Sequence, residues 1–194
     1  MNVYDFDGTI YDGDSTYDII WYGLKHHPFK VLKSIIKTIK IYYNYKRDKC
    51  PFEQVKESML SFIFELKNYK DFVNKYVESH LKNIKQIYKD MQTDDDVIAS
   101  ASYDLWIDLF AKKIGVKKVI ATNVDSSGKI IGKNCKKEEK VRRIKEKYPK
   151  ITINNAYSDS KSDEPLLIIA KKGYVIEGNK VIPYVRGYKF KKKD

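Results

Sequence analysis

The chain opens on a strand with nothing beside it. Val3-Tyr4 end a very short apolar run, and from Thr16 to about residue 90 the apolar residues recur at helical spacing. Almost no strand pattern interrupts that segment, and strand-like runs resume only beyond Asp94-Asp95-Asp96. A solitary strand is not stable in water. Val3-Tyr4 must therefore join a sheet supplied by the far half of the sequence. The expected organisation is an α/β core of residues 1–15 and 91–194, discontinuous in sequence, with an all-α subdomain of residues 16–90 inserted over one edge of the sheet.

Within the insertion, Ser15 or Thr16 reads as the N-cap of a helix through Ile19, Ile20 and Leu24, broken at His27-Pro28. Val31, Leu32, Ile35, Ile36, Ile39, Tyr42 and Tyr43 then form an apolar stripe opposite Lys30, Lys33, Lys37 and Lys40. Pro51-Phe52 starts a helix that carries Val55, Met59, Leu60, Phe62 and Ile63 inward. Phe72, Tyr76, Val77 and Leu81 continue the helical period. In the body, Val97-Ile98-Ala99 suits a buried parallel strand ending in Ser100-Ala101-Ser102, followed by a helix stopped at Gly115. Val119–Thr122 is the next strand, and the turn Ser126–Lys129 predicts that Ile130-Ile131 folds back on it. A charged helix from Glu138 to Tyr148 stops before Pro149. Asn155-Ala156-Tyr157 leads into Ser158–Asp163, a helix reaches Ala170, and Tyr174-Val175-Ile176 closes the sheet. Strands alternating with helices predict a parallel sheet.

Composition narrows the partners. A net charge of +12 over 194 residues favours anionic ones, whether phosphorylated metabolites, anionic lipid surfaces or nucleic acid. The lysines are dispersed, apart from the run Lys191-Lys192-Lys193, and that pattern reads as a solvated surface rather than a nucleic-acid footprint. Cys50 and Cys135 have no paired spacing, so we expect free thiols in a reducing cytoplasm and neither a disulfide framework nor a zinc site. No apolar leader fits ahead of Asp5. Lys33, Lys37 and Lys40 break the most apolar stretch, which argues against a membrane span.

Asp5 and Asp7, one residue apart where the first strand ends, are costly neighbours, because like charges raise each other's pKa unless a cation neutralises them. Gly8 then allows a tight turn. Hard oxygen donors on such a turn suit Mg²⁺, although an Asp-rich turn also has a purely structural explanation. Three further polar clusters fall at predicted strand ends or a helix start: Ser100, Lys140 and Asp159/Asp163. Together they offer a nucleophile, a proton donor, a cation and donors for phosphate oxygens, the set needed for phosphoryl transfer.

The same residues resemble the haloacid dehalogenase superfamily of phosphohydrolases. Asp5-Phe6-Asp7-Gly8-Thr9-Ile10 is similar to its first motif and Ser100 to its second. Lys140, within Lys137-Glu138-Glu139-Lys140-Val141, resembles the third, and Asp159-Ser160-Lys161-Ser162-Asp163 the acidic fourth. Ser158 stands where the fourth motif commonly has glycine. Lys137 and Glu139 replace Gly and Ala of the third, which leaves Lys136 or Lys137 as alternative phosphate-binding cations. The helical insertion has the position of the family's C1 cap, and the Ser100-Ala101-Ser102 and Lys140-Val141 contexts look most like the phosphoserine-phosphatase-like branch.

The resemblance implies a three-layer Rossmann-like core and Mg²⁺-dependent hydrolysis of a small phosphorylated substrate. Asp5 would be the nucleophile that forms an aspartyl-phosphate, and Asp7 the general acid and base. Asp5, the Asp7 carbonyl and Asp159 would hold Mg²⁺, with Asp163 in the outer shell, and Ser100, near a helix N-terminus, and Lys140 would bind phosphoryl oxygens. Two alternatives stay open: hydrolysis of a lipid phosphate headgroup at an anionic membrane, and a basic nucleic-acid-binding module. Transfer of the phosphate to an acceptor other than water is a further variant. Oligomeric state is not legible.

Overall fold

The computed structural model describes residues 1–190, so the run Lys191-Lys192-Lys193 lies outside the described residues. The first strand does find its partners in the far half. β1 (Asn2–Tyr4) lies between β2 (Asp96–Tyr103) and β4 (Asn155–Ser158), parallel to both. β3 (Lys118–Thr122) pairs outside β2, and β5 (Lys172–Glu177) outside β4, again parallel. β6 (Lys180–Pro183) closes the edge antiparallel to β5, giving the order β3-β2-β1-β4-β5-β6. β6 is an addition to the expected sheet. It follows from the Gly178-Asn179 turn, where Gly178 takes φ +60°.

In β1, Val3 and Tyr4 point to opposite faces, and each face has its own core. Val3, with Val97, Ala99, Ala156 and Val175, packs against Ile144 of α7 (Glu138–Lys147) and Leu166 and Leu167 of α8 (Glu164–Ile169). Tyr4 and Ile98 face Trp106, Ile107 and Phe110 of α6 (Asp104–Lys113) and Tyr88 of α5 (Gln86–Met91). The sheet is therefore the middle of three layers. On the second face the strand register stacks tyrosines: Tyr4 lies 4.3 Å from Tyr157 and Tyr157 lies 5.0 Å from Tyr174, ring to ring.

The insertion is helical as expected: α1 (Ser15–His26), α2 (Pro28–Tyr45), α3 (Phe52–Phe64) and α4 (Tyr69–His80). Asp14, not Ser15 or Thr16, caps α1, because its carboxylate accepts both the Thr16 and Tyr17 N–H groups. Pro28 starts α2, where its missing N–H costs nothing. The chain leaves and re-enters the core at one point. Asp12 N–H donates to Asn83 O and Lys85 N–H to Ile10 O, each at 2.8 Å, and Tyr11 bridges Ile84. Past that point α5 packs on the sheet through Tyr88, 5.0 Å from the Tyr4 ring. The helices of the insertion share one hydrophobic cluster with that face of the sheet, since Ile19, Val31, Phe62 and Tyr76 are continuous with Phe6 and Phe110.

Candidate active site

Strand order reverses between β1 and β4, which is where open α/β sheets bind ligands, beyond the strand carboxyl ends. The residue after β1 is Asp5, and the residue after β4 is Asp159. The Asp5 N–H is tied to Tyr157 O at 2.9 Å, so β4 holds the nucleophile candidate in register. Phe6 O then accepts the N–H groups of Thr9, Ile10 and Tyr11, winding residues 6–11 into a closed loop. Gly8 stands at φ +78°, and a Cβ there would sit 1.9 Å from Asp159 Oδ2. Only glycine lets these two loops meet.

Asp5 is nearly buried. Its Oδ1 accepts from Lys140 Nζ at 2.9 Å, and the same ammonium donates to Asp163 Oδ2 at 2.8 Å. Ser158 Oγ donates to that Asp163 oxygen at 2.8 Å. Burial pushes the Asp5 carboxyl up to about 8; Lys140 opposes the shift, and the charges of Asp163, Asp159 and Asp7 add to it. Lys140, wholly buried on α7, is drawn down by burial but raised overall by the two carboxylates it bridges, so it stays an ammonium ion. Lys136 also borders the cavity, whereas Lys137 is an exposed residue at φ +56° before α7.

Asp7 faces the insertion side. Its Oδ1 accepts Ser15 N–H at 2.7 Å and its Oδ2 accepts from Ser102 Oγ at 2.6 Å. Burial, then the charge of Asp14, raise its pKa, and the hydrogen bonds from Ser102 and Ser15 oppose that rise.

The second predicted cluster needs a correction. Ser100 is not near a helix N-terminus: β2 runs on to Tyr103 and α6 begins only at Asp104. The register of β2 against β3 slips between Ala99 and Tyr103, and such irregularities re-aim side chains beside active sites. Ser100 is fully buried and accepts Ser102 N–H on its Oγ at 3.0 Å, while Ala101 and Ser102 form the cavity wall.

The cavity measures about 260 Å³ and brings together Asp5, Asp7, Lys140, Asp163 and Ser102 from the core with Thr16, Tyr17, Phe52, Lys56 and Met59 from the insertion. Lys56 is the functional candidate that motif reading missed. Buried on α3, it donates to Ala101 O at 2.5 Å and Asn134 Oδ1 at 3.1 Å, and lies 4.9 Å from the Tyr103 ring centre. Burial lowers its pKa to about 8, against the opposing charges of Asp7 and Asp14. A signal was present. Lys56, Leu60 and Ile63 share one helical face, and a lysine on an apolar face is unusual.

Among the described residues, no group of three or more His, Cys, Asp or Glu side chains is placed to hold a metal ion alone. The set expected for Mg²⁺ uses two carboxylates and a backbone carbonyl, a donor chemistry that does not require a third acidic side chain. Two observations fit a cation here. Burial and then three neighbouring carboxylates raise Asp5 although Lys140 touches it, and Asp163 Oδ1 is buried without a hydrogen-bond partner.

Residues 3–167 match the family model described as haloacid dehalogenase-like hydrolase, which spans most of the chain. The chain belongs to the haloacid dehalogenase-like hydrolase family. Among the curated proteins none matches. Solved structures agree with the fold of the family. A protein of unknown function from Bordetella pertussis Tohama I has a TM-score of 0.72 at 19% identity, over 89% of this chain and 87% of that one. A phosphoserine phosphohydrolase-like protein from Francisella tularensis gives 0.54 at 16% identity, over 89% and 86%. A substrate-bound phosphoserine phosphatase complex gives 0.51 at 18%, over 89% and 83%. The three-layer core with a mostly parallel sheet expected from the haloacid dehalogenase-like motifs is the fold found.

Proposed function

We propose that this hydrolase is a phosphomonoesterase that acts on a small phosphorylated metabolite through a covalent phosphoryl adduct on Asp5. One observation carries the proposal: Asp5 is buried against the charged Lys140 at the strand switch point, with Asp7 presented to the same cavity by its own hydrogen bonds. The fold likeness to a phosphoserine phosphatase complex supports a phosphate-ester substrate.

Lys140 occupies Asp5 Oδ1, which leaves Oδ2 to attack phosphorus. The phosphorus–ester oxygen bond breaks as the carboxylate–phosphorus bond forms, and Asp7 gives its proton to the departing oxygen. Its raised pKa favours the protonated, donating form, and Ser15 and Ser102 fix its direction. In the second step Asp7 takes a proton from water as that water attacks phosphorus, releasing phosphate and restoring the Asp5 carboxylate. The motif resemblance assigns Ser100 to a phosphoryl oxygen alongside Lys140; here its buried Oγ accepts the Ser102 N–H behind the wall formed by Ala101 and Ser102. Asp5, the Asp7 carbonyl and Asp159 would hold Mg²⁺ with Asp163 behind them; bound there, the ion offsets the repulsion between anionic nucleophile and anionic phosphate.

The helical insertion acts in this scheme as a cap, excluding bulk water and choosing the leaving group; its far boundary falls near residue 84 rather than the expected 90, because Lys85 rejoins Ile10 and α5 packs on the sheet. With Cys50 and Cys135 both free thiols, we place the chemistry in a reducing cytoplasm. No observation favours the nucleic-acid reading. Release of phosphate from an aryl phosphate is the test. Asp5→Asn is expected to lower turnover on the order of 10³-fold or more, and chelation of divalent cations to silence the wild type. Wild-type turnover in Asp5→Asn would refute the assignment, and phosphate appearing on an added alcohol instead of water would make the enzyme a transferase.

A further inference from the structure

α2 packs on α3 through one face, burying Val31 and Ser34, and leaves another face uncovered. On that face stand Phe29 (86% exposed), Leu32, Ile36 (70%), Ile39 (66%) and Tyr43, spaced three and four apart and so in one row. The row runs about 21 Å along the helix. Folding normally hides such residues, and a contiguous apolar patch of this kind marks an interaction surface. Of the apolar stripe of α2, only its Val31 edge is buried.

The chemistry beside the row identifies the occupant. Lys33, Lys37 and Lys40 are exposed and lie next to it around the helix, and Lys46 and Arg47 follow at its end, with Arg47 stacked 4.0 Å from the Tyr43 ring. Between Lys25 and Lys49 the chain has eight basic residues and one acid, Asp48. An isologous contact between two copies would set these lysine rows against each other. An anionic surface would be attracted by them while the apolar row sinks below the charged layer, as interfacial amphipathic helices do. No helix among the described residues is long and apolar enough to cross a membrane, so the contact would be peripheral.

We propose that α2 docks this protein on anionic lipid bilayers through Phe29, Leu32, Ile36, Ile39 and Tyr43, with the flanking lysines on the headgroups. The cavity rim touches the carboxyl end of α2. Tyr17 and Phe52 are exposed and line the cavity, and the Phe52 ring meets Tyr45 at the end of α2 at 5.5 Å.

The test is co-sedimentation of the full chain with vesicles of phosphatidylcholine alone or mixed with phosphatidylglycerol, at low and moderate salt. A triple variant, Phe29→Ser, Ile36→Ser and Ile39→Ser, removes the row; all three side chains are exposed and lie outside the catalytic set. The expected result is binding to the anionic vesicles only, at least tenfold weaker in the triple variant, with aryl phosphate turnover unchanged. Absence of binding at either salt overturns the proposal. So does equal binding by the triple variant, which would assign the affinity to charge alone. A dimer in light scattering that dissociates in the triple variant, without vesicle binding, would assign the face to a second copy and also overturn it. Vesicle binding needs no turnover, so failure of the phosphatase assignment would leave this result standing.

Discussion

Two lysines are buried against the same cavity from opposite sides, and their surroundings differ. Lys140, from the core helix α7, touches two carboxylates, and their charge keeps it an ammonium despite complete burial. Lys56, from α3 of the insertion, touches only neutral oxygens, and burial lowers its pKa to about 8. The core side is thus charge-paired before any ligand arrives, as pre-organised catalytic groups should be. The insertion side holds a desolvated cation with no carboxylate in salt-bridge reach among the described residues. We propose that an anionic group of the substrate pairs with it. The division matches the proposed roles: the core performs the chemistry and the insertion selects what enters.

Substitutions at each lysine separate the two roles. Lys140→Met leaves Asp5 and Asp163 facing each other without a cation. It should cost about 3–5 kcal/mol of stability in denaturant unfolding and abolish turnover. An unfolding midpoint equal to the wild type would contradict the paired arrangement. Gly8→Ala comes next, because the added Cβ meets Asp159 Oδ2 and the backbone is left-handed. A loss on the order of 1–3 kcal/mol is expected, read by thermal unfolding, together with weaker activation by Mg²⁺. A fully active, equally stable variant would show that the two loops are not held that closely.

Lys56→Met should leave kcat nearly unchanged and raise KM about tenfold, the equivalent of one lost charge-assisted contact. The pH profile adds a second readout. Lys56 is charged below about 8 and neutral above it, so wild-type KM should rise as pH increases through that value. The variant should lack that rise, and a KM unaffected by the substitution would remove Lys56 from substrate binding. The smallest effect is expected at Glu57. This residue ties α3 to the turn before α7 by accepting from Lys129 Nζ at 2.8 Å and Ile130 N–H at 2.9 Å. Glu57→Gln should cost less than about 1 kcal/mol, because the Lys129 end of the pair is exposed.

Proximity was legible in the sequence where chemistry and position coincide locally. Asp5 and Asp159 directly follow β1 and β4, Asp7 sits in the loop after β1, Asp163 in the short turn ahead of α8 and Lys140 inward on α7, and all five lie at this one switch point. The expected fold-back after Ser126–Lys129 is present as a single bridge between Val124 and Ile130. Reading was weaker where tertiary context decides. Ser102 rather than Ser100 meets Asp7, because a register slip in β2 turns the strand there, and no local residue pattern announces a slip. Lys56 belongs to the cavity only because α3 docks beside β2, a contact between segments far apart in sequence. β6 was legible in its Gly178-Asn179 turn but is short and half-exposed, with little apolar alternation to mark it. The outward face of α2 has the same periodicity as a core stripe, and spacing alone does not tell a buried face from an uncovered one.

The division of labour rests on Asp5 forming a bond to phosphorus. Rapid acid quenching of the enzyme during turnover of an aryl phosphate, followed by mass spectrometry of the amino-terminal peptide, examines that bond directly. The peptide containing Asp5 should gain the mass of one phosphoryl group in the wild type and none in Asp5→Asn. A phosphorylated peptide from elsewhere in the chain, or full turnover with no phosphorylated peptide at all, would contradict the assignment of Asp5 as nucleophile.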